Sequence, residues 1–191
     1  MSENVISKNF ATYKSGLVRL FGEEIAEALI NMLGGEEKVA NASYAATKDT
    51  GAAYPGSFVK NVISLVNYAN KINAILPEEA RADATSLNKV CMLSQISKVL
   101  LFEENDNNYE IVNRGLIYKY VQLPGALRTG ERSALLATNV GVTFNEIEYE
   151  AMRAIDNAGV VDNYVKFFSS NLSMVIRQAY EIVNAINKMN A

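Results

Sequence analysis

The spacing of apolar residues constrains this chain most, because it repeats at the period of an α-helix over most of the sequence. Two of the clearest stripes are Phe58, Val62, Leu65, Ala69, Ile72 and Leu76, and then Leu172, Val175, Ile176, Ala179, Val183, Ile186 and Met189. The three prolines, at positions 55, 77 and 124, all fall between periodic segments, where they end helices without breaking them. The pattern predicts an all-α fold.

Two segments depart from the amphipathic pattern. Residues 86–102, SLNKVCMLSQISKVLLF, are apolar on nearly every face and predict a central helix surrounded by others. Ser94 and Gln95 lie in its middle, where polar groups need hydrogen-bond partners or a cavity. Residues 103–128 combine a central Asn-Arg-Gly with β-prone flanks, which predicts a small β-hairpin or loop insertion. Farther on, Thr143 and Glu146 have the spacing of a helix capping box.

Length and composition indicate one globular domain over residues 1–191, in which residues 1–15 would be an N-terminal arm. Hydrophobic residues make up 49% of the chain, yet no apolar run approaches the ~20 residues of a membrane span. The start of the chain lacks the pattern of a secretion signal. The single cysteine, Cys91, lies in the apolar stretch VCML and predicts a buried, reduced thiol. These features favour the cytoplasm and no membrane contact.

Charge and the missing histidines exclude several function classes. The formal net charge of −3, with no basic cluster, argues against nucleic-acid binding. The chain has no histidine, which excludes Ser-His-Asp and Cys-His catalysis. It also removes the commonest transition-metal ligand, and one cysteine does not replace it. Carboxylate, lysine or tyrosine chemistry remains open, as does a hard cation held by oxygens.

Seven short segments, in this order, resemble a family of HD-domain metal phosphohydrolases of bacteriophages and prophages. The segments are AAYPG, GSFVKN, MLSQISK, YKYVQLPG, TGERS, GVTFNE and LSMVIRQAY. The resemblance spans residues from about 20 to about 185 and implies an HD-like helical array. It also implies a reaction in which bound divalent metal activates water at a phosphate ester.

The family's metal ligands are all replaced in this chain. Where the resemblance implies histidine or aspartate, the sequence has neutral side chains: Asn61, Ser94, Gln95, Thr129 and Tyr180. Asp156-Asn157 lie where the family often has a histidine or an acidic pair. Neutral amides and hydroxyls do not hold a dinuclear metal centre, so we expect neither a metal cofactor nor hydrolase activity. The five replaced residues are expected to converge, with Tyr180 filling the former site.

Two basic residues of the family pattern survive, Lys98 and Arg132. With a helix N-terminus they would form an anion pocket, which predicts a pseudoenzyme that binds a nucleotide or phosphate. The alternative is that Lys98 forms a structural salt bridge and Arg132 is a surface residue, and lone basic residues more often do this. A third hypothesis is an enzyme whose chemistry needs no metal.

The main hypothesis is a non-catalytic assembly module with protein partners. The family's phage association extends it to a virion component made in the cytoplasm of a bacterial host cell. Tyrosine offers large contact area with a polar tip, so the insertion is one candidate interface and the N-terminal arm is the other. The candidate contact residues are Val5, Ile6, Phe10, Tyr109, Ile117, Tyr118 and Tyr120. The open alternative for the tyrosines is that they cover the core of their own domain.

Overall fold

Helices make up most of the computed structural model, which describes residues 2–156 and 170–191. Asn157, named above, lies outside the described residues. The helices are α1 (Glu3–Phe21), α2 (Glu23–Met32), α3 (Glu36–Asn41), α4 (Ser57–Ile75), α5 (Ala84–Leu93), α6 (Lys98–Leu101), α7 (Asn108–Arg114), α8 (Thr129–Asn139), α9 (Glu146–Ala154) and α10 (Asn171–Met189). Strands β1 (Phe102–Glu104) and β2 (Tyr118–Tyr120) form a two-stranded antiparallel sheet. The predicted all-α fold with a small hairpin is confirmed.

Helix α1 packs into the core along its whole length. Its buried residues recur at helical spacing: Ile6, Phe10, Tyr13 and Leu17. The Tyr13 ring meets Phe58 of α4 edge-on, with centroids 6.0 Å apart. Residues 3–15 therefore belong to a core helix, which corrects the prediction of an N-terminal arm over residues 1–15. The apolar period of the core continues through that segment, and burial of this face holds it in place.

Helices α4, α5 and α10 pack together, and α10 also packs on α9. Their buried side chains belong to a single cluster that runs from Phe10 to Val183. Cys91 of α5 is buried as a free thiol, as predicted, and burial raises its pKa. Within the described ranges, no helix combines the length and the apolar character needed to cross a membrane.

The central helix predicted over residues 86–102 is interrupted. Helix α5 ends at Leu93, four residues of turn follow, and α6 begins at Lys98. The Ser97 amide donates to Ser133 Oγ of α8 at 3.1 Å instead of to the Leu93 carbonyl, and Ser97 Oγ donates to the Thr129 carbonyl at 3.0 Å. The Ser97 amide thus bonds to α8 instead of continuing α5, while the Ile96 and Lys98 amides donate to carbonyls three residues earlier.

The insertion, residues 102–121, is a hairpin whose two strands are joined through α7. Phe102 pairs with Tyr120, and their rings pack with centroids 5.2 Å apart. Asn107 caps the start of α7, and Gly115, with φ at 62°, ends it. The Asn-Arg-Gly sequence is therefore a helix end and not the predicted hairpin turn, because a left-handed glycine is also the usual helix stop.

The capping box of α9 lies two residues after the predicted one. The Asn145 side chain accepts from the Glu148 amide at 2.9 Å, and the Asn145 amide donates to Glu148 Oε2 at 3.0 Å. Asparagine caps helices at least as well as threonine. Glu148 also forms an ion pair with Lys89 at 2.6 Å. This long-range contact favours the observed start over the one predicted from Thr143.

Candidate functional site

Three buried polar side chains lie around the turn between α5 and α6. Tyr44, Ser94 and Gln95 are at most 4% exposed. Within the described part of the chain, the Tyr44 hydroxyl, Ser94 Oγ and Gln95 Oε1 have no hydrogen-bond partner. Such orphaned atoms are uncommon and carry a desolvation cost of roughly 1–3 kcal/mol each.

The Tyr44 hydroxyl is the centre of this group. Burial raises the pKa of Tyr44 well above its ordinary value, the neighbouring Tyr180 raises it further, and the Gln95 side chain opposes the rise. Gln95 of the turn and Tyr180 of α10 therefore both lie beside Tyr44. Two of the five positions predicted to converge are brought together, through a tyrosine that the sequence did not single out.

Lys98 lies against the same tyrosine. Its Nζ donates to the Tyr44 carbonyl at 3.2 Å and lies 3.5 Å from the Tyr44 ring centroid. Burial lowers the pKa of Lys98 from 10.5 to about 7, and the carboxylate of Asp156 opposes this shift. Among the described residues, Lys98 forms no ion pair within 4 Å. The predicted structural salt bridge is therefore replaced by a hydrogen bond and a cation–π contact.

Asp156 occupies the helix N-terminus at which an external anion was predicted. The Gly130 amide, in the first turn of α8, donates to Asp156 Oδ2 at 2.5 Å. Burial raises the pKa of Asp156, and the Gly130 hydrogen bond opposes that rise. Arg132, the second predicted anion ligand, donates to the Gly125 carbonyl at 3.2 Å. The chain's own carboxylate thus satisfies this end of α8.

The remaining predicted positions have partners of their own. Asn61 of α4 donates to the Ser57 carbonyl at 2.7 Å and accepts from Asn187 of α10 at 2.6 Å. Thr129 begins α8, and its carbonyl accepts from Ser97. Direct hydrogen bonds among the described residues do not link Asn61 with Ser94, Gln95 or Thr129. In residues 2–156 and 170–191, no three His, Cys, Asp or Glu side chains lie close enough together to hold a metal ion.

The insertion carries exposed apolar side chains. Tyr109 is 66% exposed, Val112 77% and Tyr120 68%, whereas Ile117 is half-buried. Tyr118 is only 6% exposed, and burial raises its pKa. Tyr118 therefore belongs to the base of the insertion, which corrects its assignment as a contact residue. Val112 was missed because its segment was predicted to be a hairpin or loop, so the exposed face of a helix was not considered there.

The second predicted interface is mostly buried. Ile6 and Phe10 are each 9% exposed because they face the core from α1, and Val5 is 43% exposed. Ile6 and Phe10 are therefore core residues in this fold, a further correction. Ile6 and Phe10 are spaced as buried residues of a helix are. This spacing was a better guide to their burial than their position near the start of the sequence.

A shallow groove between α8 and α9 is another surface that the sequence did not indicate. It encloses about 470 Å³ and is lined by Thr138, Thr143, Phe144, Asn145, Glu146 and Tyr149. Leu135 and Ile147, on the same two helices, are 49% and 53% exposed.

Comparisons of the chain with protein-family models, with curated proteins and with solved structures found no match.

Proposed function

We propose that this chain is a non-catalytic helical module that binds other protein chains through its insertion. The observation that carries the proposal is the exposure of Tyr109, Val112 and Tyr120 on one short segment. Exposed aromatic side chains are a common source of binding energy in protein interfaces, because they bury much area with little loss of rotamer freedom.

The insertion is held firmly at its base, which favours recognition by a preorganised surface. The Ala46 carbonyl accepts from the amides of Ile117 and Tyr118 at 2.9 and 3.1 Å. Inside the insertion, Asn105 donates to the Leu116 carbonyl at 2.9 Å and to Glu110 at 3.1 Å. A surface that is already ordered loses less conformational entropy on binding than a mobile loop.

The polar groups near Lys98 support a module without the family's metal chemistry. Asn61, Ser94, Gln95, Thr129 and Tyr180 are neutral, and the nearby cation Lys98 would repel a divalent metal ion. The resemblance to phage HD-domain proteins supports a particle component, made in a bacterial cell, as the biological setting. In that setting the partner surfaces are further copies of this chain or other particle proteins.

Self-association tests the insertion directly. A stable interface buries roughly 1,200–2,000 Å² in total, so loss of two central side chains has a measurable effect. We expect sedimentation velocity at rising concentration to show that the wild type associates and that Val112→Ser/Tyr120→Ser associates more weakly. The control replaces two exposed apolar residues outside the insertion, Leu135→Ser/Ile147→Ser on α8 and α9, and should associate as the wild type does.

A monomeric wild type at every concentration would remove self-assembly from the proposal. In that case, cross-linking in a particle preparation, followed by identification of the insertion peptides, tests for a different partner. Cross-links that avoid residues 102–121 would argue against the insertion as the interface.

A second candidate, a pseudoenzyme that binds a small anion, is favoured by the unpartnered hydroxyls of Tyr44 and Ser94 and by the Lys98 amine beside Tyr44. Two hydroxyls and an amine are suitable donors for a phosphate or a nucleotide. This hypothesis expects inorganic phosphate or ATP to raise the melting temperature of the wild type and not that of Lys98→Met. No rise in the wild type would eliminate it.

A further inference from the structure

Two chain segments hold the insertion on the rest of the molecule. Helix α6 runs directly into β1, and the Leu101 carbonyl accepts from the Val121 amide at 2.9 Å. Residues 44–48, the anchor segment, hold the other side through the Ala46 carbonyl described above. In the same segment, the Lys48 amide donates to the Gly115 carbonyl at 2.9 Å. The position of the insertion therefore depends on how α6 and the anchor segment are joined.

Lys98 joins these two segments. Its backbone begins α6, and its amine reaches the carbonyl and the ring face of Tyr44, the first residue of the anchor segment. A single titratable side chain thus connects both attachments of the insertion.

We propose that the protonation state of Lys98 controls how tightly the insertion is held on the helical domain. The control of assembly that follows from this rests on the proposed function, because it assumes that the insertion is the binding surface. The tethering itself is a property of the isolated chain.

Both contacts of the Lys98 amine are strongest when it carries a charge. A cation–π contact requires the ammonium form, and the hydrogen bond to the Tyr44 carbonyl is stronger when its donor is charged. Burial brings the pKa of Lys98 to about 7, so the amine changes charge near neutral pH. Burial disfavours the charged form by more than these two contacts favour it, so the tethered amine binds a proton less readily than a solvated one. Protonation below neutrality therefore loosens the tether, and deprotonation at higher pH tightens it.

The charged groups around Lys98 belong to several elements. Asp156, after α9, raises the pKa of Lys98 and is itself influenced by Glu131 of α8 and by Arg128. Tyr180 of α10 acts on the Tyr44 hydroxyl, whose pKa lies well above the neutral range. Ser94 and Gln95 of the preceding turn are neutral. Lys98 is thus the group whose charge is expected to change around neutral pH.

Amide hydrogen exchange of Ile117 and Tyr118, resolved by NMR and corrected for intrinsic rates, tests the tether. In the wild type we expect protection to rise with pH above the Lys98 midpoint, which is read independently from its side-chain resonances. The rise is at most about 10-fold per pH unit, because a single proton is released. In Lys98→Met, protection should not depend on pH and should match the high-pH value of the wild type.

Asp156→Asn provides a matched second variant. The amide oxygen of asparagine still accepts from the Gly130 amide, but the charge that raises the Lys98 pKa is lost. The midpoint of the Lys98 titration and the pH at which amide protection changes should therefore both move to lower pH. The proposal is overturned if the insertion amides do not follow the Lys98 titration, or if Lys98→Met keeps the wild-type pH dependence. Normal association of the insertion variants would instead contradict the proposed function and leave the tether intact.

Discussion

Two lysines of this chain are held in opposite electrostatic settings. Lys89 lies 2.6 Å from the Glu148 carboxylate, and it also donates to the Thr143 carbonyl at 2.5 Å. Burial alone would raise the pKa of Glu148, but hydrogen bonds led by that from Lys89 lower it overall. Lys98 has a carbonyl and an aromatic ring in place of a carboxylate. A charged lysine therefore stabilises the fold at position 89 and destabilises it at position 98.

The same substitution at the two lysines should change stability in opposite directions. Lys89→Met leaves the Glu148 carboxylate buried without its cation, which costs about 3–5 kcal/mol when a buried pair is broken. Lys98→Met removes a poorly compensated charge and keeps the apolar stem, so the free energy of unfolding at pH 6 should rise. Urea unfolding of the two variants and the wild type measures both changes. A loss of stability in Lys98→Met at pH 6 would contradict the cost assigned to this charge.

The gain from Lys98→Met should depend on pH with a defined sign. The pKa of Lys98 is about 7 in the folded chain and 10.5 ordinarily, so between these values the unfolded chain binds more protons. The stability contribution of Lys98 therefore rises with pH in this window, and its cost is complete only below pH 7. The gap between variant and wild type should narrow by up to about 1.4 kcal/mol per pH unit above pH 7. Unfolding curves measured from pH 6 to pH 10 check this, and a constant gap would contradict it.

At the scale of elements, α8 approaches α9 at a position that only glycine fits. A Cβ at Gly130 would overlap the Met152 carbonyl oxygen and lie 2.8 Å from Asp156 Oδ2. Backbone atoms do not move aside as a flexible side chain does. The close approach also brings the Gly130 amide to the Asp156 carboxylate, so packing and the satisfied helix end depend on one residue.

Gly130→Ala should therefore destabilise the fold by about 1–3 kcal/mol or more, the usual cost of overpacking. Gly16→Ala is the matched control, because its Cβ would meet only the methyl end of Met92, at 2.9 Å. Alanine also favours the interior of α1 by roughly 0.5–1 kcal/mol, so the control should be close to neutral. Thermal unfolding of both variants measures the difference, and equal melting temperatures would refute the argument.

The sequence predicted the helices that are determined by residues close together in the chain. The stripes of α4 and α10 appeared directly in the apolar period of the sequence. The break between α5 and α6 was not predictable, because it depends on Ser133, which lies 36 residues beyond Ser97. Helix α7 was missed because its caps, Asn107 and Gly115, also suit a turn.

At the scale of the whole molecule, the candidate site was only partly predictable. The sequence identified Gln95, Lys98 and Tyr180 as site positions, and the fold brings all three to Tyr44. Tyr44 itself could not be found, because it lies 54 residues before Lys98 and belongs to no periodic stripe. An anion site was predicted at the start of α8, but its anion is Asp156 of the same chain. The interior of the site is therefore explained by contacts between distant segments.

Metal addition tests the proposal that the chain is a non-catalytic module without a metal site. The neutral side chains and the Lys98 amine provide no negative charge to hold a divalent ion. Addition of Mn²⁺, Zn²⁺ or EDTA should therefore leave the melting temperature unchanged. A metal present at 100 times its Kd would stabilise the fold by about 2.7 kcal/mol, which corresponds to several degrees for a chain of this size. Hydrolysis of p-nitrophenyl phosphate should also stay at the level of buffer with metal. A stoichiometric metal in elemental analysis, together with a rise in melting temperature that Gln95→Ala abolishes, would show that a metal site persists near Tyr44 and would overturn the non-catalytic proposal.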